Sequence, residues 1–210
     1  MNITGNTIFI AGGTSGIGLG LALRFQSAGN RVIIGGRRTE LLEQIAAEQP
    51  GIETVVIDTA DFLSVAERTV TTNLLGPIRL IAAFTETLAT RPNAAIITVS
   101  SGLAFVPLPL TPTYNATKAA IHSLSRGIRI QLADTSIQVI ELILPAVRTT
   151  LMGQQDSERA MPLEAYLDET MTLLQTQPDA DEIVVDNVRF LRDAETNGNY
   201  QHILALLSSH

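Results

Sequence analysis

Tyr114 and Lys118 stand four residues apart in the run Tyr114-Asn115-Ala116-Thr117-Lys118, at the start of a strongly helical stretch. Residues at i and i+4 share a helix face, so an ammonium would lie one turn from a phenol. Nearby positive charge favours phenolate and lowers a tyrosine from its ordinary value near 10. That makes Tyr114 a candidate general acid/base close to neutral pH. Upstream, Thr98-Val99-Ser100-Ser101-Gly102 ends a β-branched run. Small hydroxyls at the carboxyl end of a strand lie where open α/β sheets bind ligands. Ser101 is placed to hydrogen-bond a reacting carbonyl oxygen. Each piece alone also fits ordinary structure: Tyr-x-x-x-Lys arises by chance, and paired serines are common in loops.

A second group of residues points to phosphate. Ala11-Gly12-Gly13-Thr14-Ser15-Gly16-Ile17-Gly18 joins the first β-branched run to the first helical stretch. Glycines there permit a sharp turn and close approach to a pyrophosphate, and the helix N-terminus offers free N–H groups. The plain alternative is a βα turn whose glycines serve packing. The second run ends Ile34-Gly35-Gly36-Arg37-Arg38, with no acid to hold a ribose 2′-hydroxyl. Two arginines suit a 2′-phosphate, which favours NADP (NADPH) over NAD, although a solvated basic loop reads the same way. Asp58 either accepts from an adenine amino group or caps the next helix.

The elements that must position these groups alternate in period. Continuous β-branched runs at Thr7–Ala11, Arg31–Ile34, Thr54–Ile57, Ala95–Ser100 and Gln138–Leu144 read as strands buried on both faces. Helical stretches lie between and after them at Gly16–Ala28, Glu40–Glu48, Leu63–Thr90 and Tyr114–Ala133. This alternation predicts an α/β fold of the Rossmann type, a doubly wound parallel sheet in three layers, α/β/α. Beyond Pro145 only helices are expected, at Leu163–Gln175, Ala180–Leu191 and Asn199–Leu207, with a polar loop over Gly153–Met161. No linker divides the chain, so residues 1–210 read as one domain. Its parts are a cofactor-binding half (1–60), a catalytic half (61–150) and a helical substrate-loop and C-terminal segment (151–210).

Composition removes other classes. The 210 residues carry a net charge of −7 and no cysteine. The acidic balance argues against a nucleic-acid partner, and the absent thiols exclude disulfides and thiolate chemistry. No apolar run reaches the roughly 18 residues that span a bilayer, and no leader pattern opens the chain, so a cytoplasmic protein is expected. His202 and His210 do not form a metal set, and no metal is predicted. His122 reads as a packing or surface residue. Glu141, inside an apolar strand, is expected at a subunit interface or beside an arginine. Met152, Met161 and Leu163 suit either an apolar substrate or the core.

Taken together, the residues from Thr4 to about Thr150 resemble the short-chain dehydrogenase/reductase family. The resemblance rests on Gly12, Gly16 and Gly18, Asp58, Asn73 in Thr72-Asn73-Leu74-Leu75-Gly76, Ser101, Tyr114, Lys118 and Pro145-Ala146-Val147-Arg148-Thr149. It implies an NADP(H)-dependent oxidoreductase acting on a small carbonyl or alcohol, in a homodimer or homotetramer. In that setting Tyr114 moves the substrate proton, Lys118 lowers its pKa and holds the nicotinamide ribose, and Ser101 orients the carbonyl. Asn73 supports a proton relay to Lys118. Arg37 meets the 2′-phosphate, while Pro145, Val147 and Thr149 lie against the nicotinamide. Thr14, Ser15 and Ile17 belong to the cofactor turn. The family carries a further central strand ending in an Asn-Asn-Ala-Gly motif before the Asn73 helix. This chain has a single helix there, about 30 residues fewer, roughly one β-α-β repeat. A nucleotide-binding or interaction protein with impaired catalysis is therefore the alternative reading.

Overall fold

The computed structural model describes residues 3–57 and 65–209, with the side chains of 151–153 outside that description. Asp58, the first residues of the helix expected from Leu63, the Met152 side chain and His210 lie outside the described residues. In chain order the elements are β1 (Thr7–Ala11), α1 (Gly16–Ser27), β2 (Arg31–Gly36), α2 (Thr39–Glu48), β3 (Ile52–Val56), α3 (Val65–Val70), α4 (Gly76–Ala89), β4 (Ala94–Ser101), α5 (Pro112–Gln131), β5 (Ile137–Leu144), α6 (Leu163–Thr176), β6 (Glu182–Val184), α7 (Arg189–Arg192) and α8 (Tyr200–Ser208). Parallel strands joined by helical crossovers make this a Rossmann-like α/β fold, as the alternating pattern predicts. Among the described residues, no helix is long and apolar enough to cross a membrane.

The chain forms two compact units, one of Met1–Asp58 with Ala146–Pro178, the other of Thr59–Pro145 with Asp179–His210. The first holds a parallel sheet in the order β1-β2-β3. Its middle strand carries the core: Val32 and Ile34 are fully buried, with Leu21, Ala22 and Phe25 of α1 and Leu42 and Ile45 of α2 buried too. Further on, α6 lies against α1 so closely that a Cβ on Gly20 would collide with Leu167. Arg24 of α1 bonds Glu164 and Asp168 of α6 at 2.7 and 2.8 Å.

In the second unit the parallel order is β4-β5-β6. β5 is its buried centre, because continuous Val-Ile-Glu-Leu-Ile has no side to give to water. Ala94 and Ile96 of β4, Ile137 and Val139 of β5 and Ile128 of α5 form an apolar cluster that Ile81 and Leu88 of α4 help to cover.

Three expectations are corrected. The stretch Ala180–Leu191 is not one helix: Glu182–Val184 is the strand β6, parallel to β5 with Ile183 beside Leu142. Its acidic residues do not cap a helix but bind cations, Asp181 with Arg129 and Glu182 with Arg192. The stretch expected as a continuous helix to Thr90 is interrupted by a π-helical turn at Thr71–Leu75. Pro77 supplies the reason, since it has no N–H to give the carbonyl four residues back, that of Asn73. The ladder slips by one residue, and the Gly76 N–H bonds the Thr71 carbonyl. Finally, the loop expected over Gly153–Met161 begins as a 3-10 turn, Leu151–Asp156, and Met161 closes it by bridging to Val147.

The C-terminal elements also brace the end of β4. A Cβ on Gly102 would lie 2.6 Å from Leu191 Cδ1 and 2.7 Å from Val188 Cγ2. Gly102→Ala therefore overpacks this contact and is expected to lower stability by about 1–3 kcal/mol, read as a fall in the urea midpoint.

Candidate functional site

In the first unit the glycine-rich turn wraps the carboxyl ends of β1 and β2. Gly12 and Gly16 have φ of +84° and +54°, a conformation that favours glycine. Gly13 presses on Ile34, where a Cβ would come within 2.6 Å, and Gly18 passes against the Gly12 carbonyl. The Gly12 N–H donates to Gly35 O at 2.7 Å, which fixes the turn to β2. Ser15, extended, precedes α1 without capping it through its side chain. Ile17 is partly buried behind it, and the Thr149 methyl stands 3.4 Å from the space beside Gly16. Val147 is buried.

The two arginines of the sequence reading part company here. Arg38 turns back and donates from Nη2 to both Thr14 Oγ1 and Ser15 Oγ at 2.8 Å. Arg37 is exposed at the end of β2. A guanidinium, two hydroxyls and the start of α1 thus converge, with no side chains on the neighbouring glycines to block approach. Only the adjacency of two arginines signalled Arg38 in the sequence.

The second unit contains Asn73, Ser101, Tyr114 and Lys118 together. α5 runs back along β4 and β5, and one polar bond per turn ties it down. Ser101 hydrogen-bonds the Tyr114 phenol at the end of β4. Lys118 Nζ donates to Val99 O at 2.9 Å. One turn on, His122 Nδ1 donates to Glu141 Oε2 at 2.9 Å, and Ser125 Oγ meets Thr98 Oγ1 at 2.7 Å. Arg129 Nε donates to Val139 O at 3.1 Å. Four helical residues rise about 6 Å and two strand residues about 6.6 Å, so the Tyr114–Lys118 step matches the Ser101–Val99 step. Asn73, in the π-helical turn, donates to Thr117 Oγ1 at 3.2 Å, which anchors it to the same turn of α5. Pro145 is buried at the end of β5.

Electrostatics differ from the sequence expectation in one respect. Burial raises the Tyr114 phenol above its ordinary 10, and the Ser101 hydrogen bond opposes this only in part. Lys118 does not bring it down: its Nζ lies 5.5 Å from the Tyr114 ring centroid and is spent on the Val99 carbonyl. Burial lowers Lys118 itself to about 8. Glu141 and His122 are also corrected. Glu141 is fully buried and bonds His122 instead of facing an interface, while Arg192 lies near enough to feel its charge, so the expected arginine is a neighbour and not the bonded partner.

An apolar cavity of about 440 Å³ opens beside α5, lined by Leu103, Phe105, Leu108, Asn115, Tyr200 and Leu204 among others. Asn115 and Ala119 lie around the helix from Tyr114 and Lys118, so this cavity belongs to a different face of α5.

A lysine lowered to about 8 makes the folded state bind fewer protons than the unfolded one between there and 10.5. Stability consequently rises with pH across that window. Lys118→Met is expected to melt higher than the parent at pH 7, with the advantage shrinking between pH 8 and 10 in thermal scans.

Comparison with known proteins gives the family. Residues 51–160 match the family model described as short chain dehydrogenase. An uncharacterized oxidoreductase, DltE, of Bacillus subtilis is 34% identical, with 100% of this chain and 99% of the relative covered. That alignment spans 252 positions against a chain of 210 residues, so the relative carries segments with no counterpart here. A fatty acyl-CoA reductase of Acinetobacter baylyi is 26% identical over 77% of this chain and 69% of its own length. A short chain dehydrogenase from Burkholderia cenocepacia, solved in complex with NADP, shares the fold with a TM-score of 0.82 at 22% identity, all of both chains being covered. By its matched family model and by its similarity to DltE over its whole length, the chain belongs to the short-chain dehydrogenase family.

Proposed function

We propose that the protein is an NADP(H)-dependent oxidoreductase that interconverts a carbonyl and an alcohol, with Tyr114 as general acid/base. The observation that carries the reading is the convergence of Ser101, Tyr114, Lys118 and Asn73 on one turn of α5 and the end of β4. The glycine turn fits a dinucleotide, since Gly12, exposed and at positive φ with nothing near it, leaves bare backbone ahead of α1. Such a cofactor, when bound, gives or takes the hydride.

The chain's own residues supply the remainder. Ser101 donates a hydrogen bond to the substrate oxygen as charge develops there. Tyr114 gives its phenolic proton to that oxygen in reduction and removes it in oxidation. Burial keeps the phenol protonated, the form that donates in reduction. Lys118, reaching from one turn away, restores the proton when it leaves Val99 O, and Asn73 fixes that turn through Thr117. Arg37 and Arg38 flank the turn with positive charge, which supports NADPH over NADH.

A second reading, a nucleotide-binding protein without turnover, is favoured by one observation. Lys118 is held by Val99 O, and the phenol is raised rather than lowered.

Two measurements separate the readings. With NADPH and a panel of aldehydes and ketones, turnover is expected, and Tyr114→Phe is expected to reduce it by about 10²–10⁴-fold with cofactor binding retained. Binding without any turnover supports the second reading. For the cofactor, Arg37→Ala and Arg38→Ala are each titrated with NADPH and NADH. At least one is expected to weaken NADPH about tenfold, roughly 1.4 kcal/mol, and to leave NADH unchanged. Equal losses for both nucleotides would remove the case for NADP preference.

A further inference from the structure

Among the described residues of the second unit, one group of buried charge lies outside the proton-transfer residues. Glu141 is fully buried, and His122 Nδ1 reaches both of its oxygens at 3.1 and 2.9 Å. Next to it in the parallel register stands Glu182 of β6. Arg192 of α7 donates from Nε to Glu182 Oε2 at 2.7 Å. The same guanidinium lies 4.7 Å from the Phe105 ring, and that ring meets the His122 imidazole edge-on at 4.7 Å. The circuit runs Glu141, His122, Phe105, Arg192 and Glu182, and its two ends are carboxyl groups side by side in the β5–β6 register. Other charges at its rim are Asp193, 3.9 Å from Arg192, and the Arg129–Asp181 pair.

A carboxylate with no exposure is costly unless paired, so Glu141 holds whatever pairs with it firmly. Its partner is the third member of the series Tyr114, Lys118, His122, each one turn from the next. The circuit grips α5 directly below the two turns that carry Lys118 and the phenol. It also holds Phe105, in the segment leaving Ser101.

The geometry assigns His122 and Glu141 a positioning role: the pair, backed by Glu182 and Arg192, fixes the height and rotation of α5 so that the Tyr114 phenol stays buried against Ser101. Neither residue transfers a proton to substrate. Side-chain nitrogen and oxygen atoms of His122, Glu141 and Glu182 lie within 4.8 Å of one another, a spacing that a divalent cation also accepts. Arg192 already brings a positive charge to Glu182, one of those three groups. The inference rests on the acid/base reading of Tyr114 for its effect on turnover, but its test does not use turnover.

Tyrosinate formation is followed by ultraviolet absorbance, each protein against its own Tyr114→Phe version, which isolates one of three tyrosines. Burial holds this phenol up, so loosening α5 admits water and brings its midpoint down toward 10. Glu141→Gln and His122→Ala are each expected to lower the midpoint by about half a unit or more. His122→Gln, whose amide can still donate to Glu141, is expected to restore it. An unchanged midpoint in both variants, whatever their melting temperatures, overturns the positioning role and leaves the pair as a stabilising contact. A Zn2+-induced rise in melting temperature that Glu141→Gln abolishes overturns it in favour of a metal site. Should Glu141→Gln fail to fold, His122→Ala decides, because that side chain is 18% exposed and not fully interior. Absent turnover in every protein would refute the proposed function and leave the titration result standing.

Discussion

One helix face carries both the attachment of α5 to its sheet and the groups read as chemistry. Tyr114, Lys118, His122, Ser125 and Arg129 all point toward β4 and β5, and each makes a polar bond there. A purely apolar face would have packed as well but would slide, because dispersion has little directionality. Polar bonds at matched spacing remove that freedom. The phenol's environment is therefore set by the whole length of the helix and not by its first turn alone.

Positioning also explains the irregularities. Pro77 forces the π-helical turn, and the turn brings Asn73 to Thr117. π-turns are rare and are frequently found at functional sites. Gly12 of the first unit, exposed and at positive φ, similarly gives up chain rigidity to leave backbone bare at one place. Both are departures from regular structure located where a ligand would be handled.

Much of this was legible in residue types. β1 ends where the sequence pattern places it, and β4 and β5 extend it by a residue or so, because β-branched runs bounded by glycine, proline or serine have few other conformations. The Tyr114–Lys118 spacing carried its own geometry, since a helix converts four residues into one turn. Long-range partners were less legible. Glu141 could be seen as misplaced in an apolar strand, yet nothing local named His122 as its partner. Ile183-Val184 was hidden by the acids before it, which resemble a helix start until Arg129 and Arg192 are found across the chain. Arg38 and Arg37 were indistinguishable, because the direction of each side chain depends on how the strand leaves the sheet. The sign of the Tyr114 shift was misjudged for a similar reason: a nearby ammonium is visible in sequence, but its burial and its carbonyl partner are not.

The chain path has a consequence for synthesis. Both units are discontinuous: the first needs residues Ala146–Pro178 to complete it, and the second needs Asp179–His210. A ribosome delivers the chain from its N-terminus, and domains usually fold in that order. Here neither unit can close early. Until residues 182–192 have been added, β5 has no β6 beside it and Glu141 has its imidazole but not the Glu182–Arg192 pair. A growing chain thus carries a buried-to-be carboxylate and an open strand edge for several seconds at about 5–20 residues per second. That interval is when a holding chaperone would find most to bind.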